Sequence, residues 1–151
     1  MKHGIPLNDE DRRPWLFGVH LEVWKCLASG IGKRNVVIVA CSALKLKYRE
    51  LLMNGDAELC ENEDDIIQKP NIGIEWLFVN LEISKECATR RLSNRSHFMN
   101  PNLVQSQFDT LELTPFDSNT YPNAKFVTVN NEDNPNVVQD IWKHAQELSF
   151  P

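Results

Sequence analysis

Residues 36–49 read VVIVACSALKLKYR. The first five form a continuous apolar run rich in β-branched residues, the composition of a strand buried on both faces of a parallel sheet. Cys41-Ser42-Ala43-Leu44-Lys45 follows at once, then a helical segment carrying Lys47, Tyr48 and Arg49. Open α/β sheets bind ligands beyond the carboxyl ends of their strands. A small turn, a hydroxyl and several cations at that place suit an anion or sugar-acid site. They equally suit an ordinary β–α connection with a basic first helical turn.

Working outward, the pattern alternates strand and helix. Asn8, Asp9 or Asp11 can cap a first helix, with Pro14 in its first turn. Trp15, Leu16, Val19, Val23 and Leu27 recur along it at helical spacing, and Gly30 and Gly32 close it. The opening stretch then gives a strand at 36–41 and a helix at about 44–53, broken by Gly55. The acidic run at about 56–71 reads as a solvated surface insertion. A second buried strand is expected at 75–83, and Ser84 caps the helix that follows. Residues 102–111 predict another helix, 115–122 a loop and 125–130 a third strand. A terminal helix at 135–148 should turn Val137, Val138, Ile141, Trp142 and Ala145 inward. This alternation predicts a single α/β domain over residues 1–151, with a parallel sheet covered on both faces.

The 151 residues suffice for one core, and 42% hydrophobic with 25% charged residues is ordinary for a soluble globular chain. A net charge of −5 argues against general nucleic-acid binding, so any anionic ligand must meet clustered cations. Cys26, Cys41, Cys60 and Cys87 show no CxxC pairing and no metal-ligand spacing with histidine, so no metal site is expected. Cys26, Cys41 and Cys87 lie among apolar residues and read as buried free thiols of a reducing compartment. The amino-terminal residues carry no apolar signal core, and no run approaches membrane-spanning length. The chain therefore reads as cytoplasmic.

Four polar clusters are candidates for chemistry. The first is Asn8-Asp9-Glu10-Asp11-Arg12-Arg13. The second joins Ser42 with Lys45 and Arg49, which at a spacing of four would share a helix face and hold a carboxylate or phosphate. The third is Arg90-Arg91 with Arg95 and His97; paired arginines beside a loop can clamp phosphates. The fourth runs from Ser106 to Glu112 and includes Gln107. Each also has a plain structural reading, as a capped helix start or a solvated helix face. No Ser-His-Asp order, no HExxH and no GxxxxGK(S/T) occurs.

Taken together these stretches resemble the gluconokinase family of small P-loop kinases. The resemblance rests on Gly4-Ile5-Pro6-Leu7-Asn8-Asp9-Glu10-Asp11-Arg12 with Pro14-Trp15-Leu16, and on Cys41-Ser42-Ala43-Leu44-Lys45 with Tyr48-Arg49. His97-Phe98-Met99, Leu103, Ser106-Gln107-Phe108 and Leu111-Glu112 continue it in the same order. It covers nearly the whole chain.

The resemblance implies a three-layer, nucleoside-kinase-like P-loop fold, ATP with Mg²⁺ as co-substrate, and phosphorylation of D-gluconate to 6-phospho-D-gluconate. It assigns Arg12, Ser42, Lys45, Arg49, His97 and Gln107 to the substrate side, and Arg91 and Arg95 to a lid over the phosphates. Arg95 and His97 are separated by one residue where the family pattern has two. The family's opening strand, phosphate loop, first helix and second strand have no counterpart here. The sequence is thus expected to be a kinase begun at an internal start, lacking its first two strands and inactive or incomplete as it stands. A binding or regulatory remnant, pairing with another copy as a homodimer, is the alternative this departure leaves open.

Overall fold

The computed structural model describes residues 7–29, 36–60, 74–94 and 102–148. These described residues divide into two compact units, one within residues 7–60 and one within residues 74–148.

The first unit is built on two helices. Helix α1 (Asp9–Ala28) begins at a reciprocal cap. The Asn8 side chain accepts from the Asp11 N–H at 2.7 Å, and the Asp11 carboxylate accepts from the Asn8 N–H at 3.1 Å. Asp9, Glu10 and Asp11 in the first turn complement the positive end of the helix. This start places Pro14 inside the helix, not in its first turn, where its missing N–H removes one rung of the ladder. The buried face is Arg12, Leu16, Phe17, His20, Val23 and Trp24. Trp15, expected inward, is exposed, and so is Cys26. The true stripe runs one position later than the apolar letters suggest, because it takes in an arginine and a histidine.

Helix α2 (Leu46–Asn54) packs against α1 and ends at Gly55, whose φ of 77° and ψ of −165° suit glycine almost alone. The His20 ring fills the space beside it. Its Nδ1–H donates to the Leu52 carbonyl at 2.8 Å, and a Cβ on Gly55 would come within 2.7 Å of Nε2. The strand expected at 36–41 does not form. Residues 36–44 carry no regular structure, Ile38 is 91% exposed, and Val36 and Val39 are exposed too. Composition there favours a strand, but a buried strand also needs ladder partners and covered faces. No described residue pairs with this segment.

The second unit holds the sheet. Strands β1 (Trp76–Glu82) and β2 (Ala124–Asn130) pair in parallel, in register from Trp76↔Ala124 to Glu82↔Asn130. Parallel neighbours need a long crossover, and here it contains helices α3 (Lys85–Ser93) and α4 (Asn102–Thr110). Trp76 stacks on Phe78, and a chain of ring contacts through Phe116 to Tyr121 ties the 115–122 loop to that face of β1. Cys87, Leu103, Val104 and Val129 form the described core. Helix α5 (Val137–Gln146) packs on β2 with Val137, Ile141 and Ala145 half-buried. Val138 and Trp142, expected inward, are exposed together at a spacing of four. The α/β class with a parallel sheet stands, consistent with a P-loop kinase fold; among the described residues the sheet has two strands.

Gly55→Ala is expected to lower stability by about 1–3 kcal/mol, the usual cost of forcing a side chain into such backbone geometry. Gly18→Ala, where an added Cβ meets nothing within 4 Å, should instead be neutral or stabilising. Urea unfolding of the two variants checks both signs.

Candidate functional site: a carboxylate hub on two helices

Asp9, in the first turn of α1, is the polar centre of the first unit. Its carboxylate accepts from Lys45 Nζ at 2.7 and 3.1 Å, and also from Lys47 Nζ and the Tyr48 hydroxyl. Lys45 is the amino-terminal cap residue of α2, with an extended backbone at ψ 154°. Lys45 and Arg49 therefore do not lie on one helical face, as their spacing suggested. Lys45 and Lys47 instead converge on one carboxylate from either side of the helix start. The bonds from Lys45, then Lys47 and Tyr48, hold the Asp9 carboxyl far below the usual carboxylate range. Burial, and then the bond to Asp9, push the Tyr48 hydroxyl up to about 12.

The buried arginines face the backbone. Arg49, 1% exposed, donates from Nη1 to the carbonyls of Ala43 and Leu44 at 3.3 and 3.4 Å. It thereby fastens the Ser42–Lys45 turn to α2. Arg12 donates to the Leu7 carbonyl at 3.4 Å and lies 5.8 Å from the Tyr48 ring centroid, with Lys45 at 5.6 Å. Ser42 is half-buried in the same turn.

An open cavity of about 450 Å³ lies against the hub, lined by Asp9, Glu10, Arg13, Leu16, Lys47, Tyr48 and Leu51. Its size is within the range of about 300–1,000 Å³ common for small-molecule sites. Arg13 at its rim is held by both Asp56 oxygens, at 2.8 Å for the second, and by Glu58 at 2.5 Å. The start of the acidic stretch is thus bound to α1 through a short 3₁₀ turn (Ala57–Leu59), not simply solvated; residues 61–71 lie outside the described residues.

In the second unit Arg91 donates to the Asn131 carbonyl at 2.7 Å, and Gln107 is half-buried on α4. Arg95 and His97 lie outside the described residues. Among the described residues no three His, Cys, Asp or Glu side chains gather so that they could hold a metal ion, and no helix is long and apolar enough to cross a membrane.

A converging set of cations, a tyrosine and a carboxylate thus lies beside a small cavity, and the chain as a whole is similar to several known proteins. The chain is 42% identical to a probable gluconokinase of Rattus norvegicus over 74% of its length and 60% of the relative's. It is 34% identical to one of Dictyostelium discoideum, over 97% of this chain and 66% of the relative. With a gluconokinase of Gluconobacter oxydans it shares 32% identity over 97% of this chain and 68% of the relative.

The chain belongs to the gluconokinase family. It spans about three fifths to two thirds of the length of these curated relatives. No family model and no solved structure matches it. The hub joins the two stretches that carry the family resemblance, with Asp9 from GIPLNDEDR and Lys45, Lys47 and Tyr48 from CSALKLKYR. Sequence reasoning assigned Lys45 to the site; it placed Asp9 and Arg13 in a candidate cluster and Lys47 and Tyr48 in the opening stretch, but gave none of the four a site role. The signal available was one carboxylate-rich helix start and one lysine-rich helix start, which complement each other.

The alkaline limb of stability reports on this site. The Tyr48 hydroxyl keeps its proton in the folded chain from its ordinary value of 10.0 up to about 12. The unfolded chain releases that proton first, so stability falls as pH rises through this window. Tyr48→Phe should flatten that limb, and urea midpoints measured from pH 9 to 12 for both proteins check it.

Proposed function

We propose that this chain serves the gluconokinase reaction, transfer of a phosphoryl group from ATP to D-gluconate, and that the α1–α2 unit carries the sugar-acid side of it. The observation that carries the reading is the Asp9 hub with Lys45, Lys47 and Tyr48 beside its cavity. A sugar acid presents one carboxylate and a row of hydroxyls. Ammonium groups suit the first; a carboxylate such as Asp9 accepts from the second. Arg12, Ser42, Lys45 and Arg49 belong to the substrate side in this reading, Arg12 and Arg49 largely by holding the walls. Gln107 and His97 would contribute hydroxyl contacts, and Arg91 and Arg95 would meet phosphate.

ATP use accords with the family. Mg²⁺ is the usual companion of transferring phosphates; among the described residues no three His, Cys, Asp or Glu side chains gather to hold a metal ion. We further propose that the two units are parts of one kinase domain acting in the cytoplasm as a soluble protein.

Gluconate titrated into the full chain should bind saturably, and shikimate, a ring acid, should not compete. Lys45→Met removes one charge-assisted bond, worth about 1.5–3 kcal/mol, and should weaken gluconate accordingly. Equal affinity for wild type and variant would remove Lys45 from the site. With ATP and Mg²⁺ added, a coupled assay for 6-phosphogluconate reads transfer directly. These 151 residues, without a GxxxxGK(S/T) loop, are expected to turn over slowly at most.

A further inference from the structure

The carboxyl ends of β1 and β2 are joined by more than their ladder. The last partners in register are Glu82 and Asn130, and the Asn131 N–H donates to the Glu82 carbonyl at 2.8 Å. Two residues beyond each strand, still in that register, stand Ser84 and Glu132. The Glu132 carboxylate accepts from the Ser84 N–H at 2.7 Å and from the Ser84 hydroxyl at 2.9 Å. The same hydroxyl accepts from the Cys87 N–H at 3.1 Å as the amino-terminal cap of α3. A carboxylate from the loop after β2 therefore sits at the positive end of α3. These bonds, with lesser attraction from Arg90 and Arg91, hold the Glu132 carboxyl below its ordinary range.

Helix α3 meets the same loop a second time. Arg91 lies two helical turns beyond Ser84, on the same face, and helical side chains lean toward the amino terminus. Its guanidinium reaches back to the Asn131 carbonyl at 2.7 Å. The loop is itself braced. Asn130 Oδ1 accepts from the Glu132 N–H at 2.7 Å, and the Asn134 amide donates to the Asn130 carbonyl at 2.8 Å and to Asp140 at 3.0 Å. Asp133 adopts a φ of 52°, in the left-handed region that aspartate enters more readily than most non-glycine residues. The Arg90–Asp133 pair, 3.9 Å apart and exposed at both ends, adds little.

We propose that Glu132 is a positioning residue: by clamping Ser84 it fixes the start of α3, and through α3 it sets Arg91 at the carboxyl ends of β1 and β2, where a phosphate-bearing ligand would meet the guanidinium. The ligand class rests on the kinase reading; the positioning of Arg91 does not. Without the carboxylate, α3 keeps its contact with the loop only through its last turn, and Arg91 loses its fixed origin.

The test uses the full chain and the signal of the Arg91 Nη2–H, the group that meets the Asn131 carbonyl, in nitrogen-15 NMR, with Arg13 in the other unit as internal control. Glu132→Ala should speed exchange of the Arg91 Nη2–H about tenfold or more, as local opening does. Arg13 should not change. Glu132→Gln, which can still accept from the Ser84 N–H, should recover much of the protection. An unchanged Arg91 signal in Glu132→Ala, or equal acceleration at Arg13, overturns the proposal, the second by showing only general loosening. ATP is the ligand probe. Weaker ATP binding in Glu132→Ala and in Arg91→Ala, with no further loss in the double variant, supports both the positioning and the phosphate role. If Arg91 is freed but ATP binding is absent or indifferent to both changes, the positioning stands and the phosphate role of Arg91 falls.

Discussion

One carboxylate organises the first unit. Asp9 brings the start of α1 and the start of α2 together by accepting from Lys45, Lys47 and Tyr48. Remove it, and two ammonium groups face each other across a tyrosine with no counter-charge among these contacts. The cap at Asn8 matters for the same reason. By starting α1 at Asp9, it fixes where this carboxylate stands. At the far end of the helix pair, His20 seats on the Leu52 carbonyl and against Gly55. The two helices are thus pinned at both ends by polar contacts, with Leu16, Val23, Trp24, Leu52 and Met53 supplying apolar burial.

The arginines divide by burial. Arg49 and Arg12 are withdrawn from solvent and donate to main-chain carbonyls, so in this unit they shape the turn and the tyrosine face. Arg13 is more exposed and lies at the cavity rim, held by the acidic stretch. Long cationic side chains often serve a site this way, some by contact and some by building the wall that contact requires. The second unit shows the same economy, where one carboxylate, Glu132, serves both the cap of α3 and the closure of the strand ends.

Much of this was legible in the sequence because local signals and tertiary structure agree. The Ser84 cap, the break at Gly55, the strands at 76–82 and 124–130 and the helix at 102–110 all follow from residues that act within a turn or two. What was not legible depends on partners far along the chain. Residues 36–40 have strand composition, yet a ladder needs a neighbour, and composition does not supply one. Pro14 sits in the helix interior because a capping box that opens six residues upstream, at Asn8, outweighs the preference of proline for a first turn. Val138 and Trp142 look inward by period, but α5 meets β2 along the neighbouring face. In the site, Lys45 was readable from the CSALKLKYR stretch, though its companion Lys47 was not singled out. Their counter-charge was not readable, since Asp9 reads as one more acidic residue in a helix start until α2 is folded against it.

The first unit depends on Asp9 carrying its charge within bonds to Lys45, Lys47 and Tyr48, and the carboxyl carbon of Asp9 reports on this directly. Carbon-13 NMR of that carboxyl through acid titration should place its midpoint far below the ordinary value of 3.8, with the amide signals of Lys45, Lys47 and Tyr48 moving on the same curve. A midpoint near 3.8, with those three residues unmoved, would show that the hub does not form and would remove the basis for a sugar-acid site on α1 and α2.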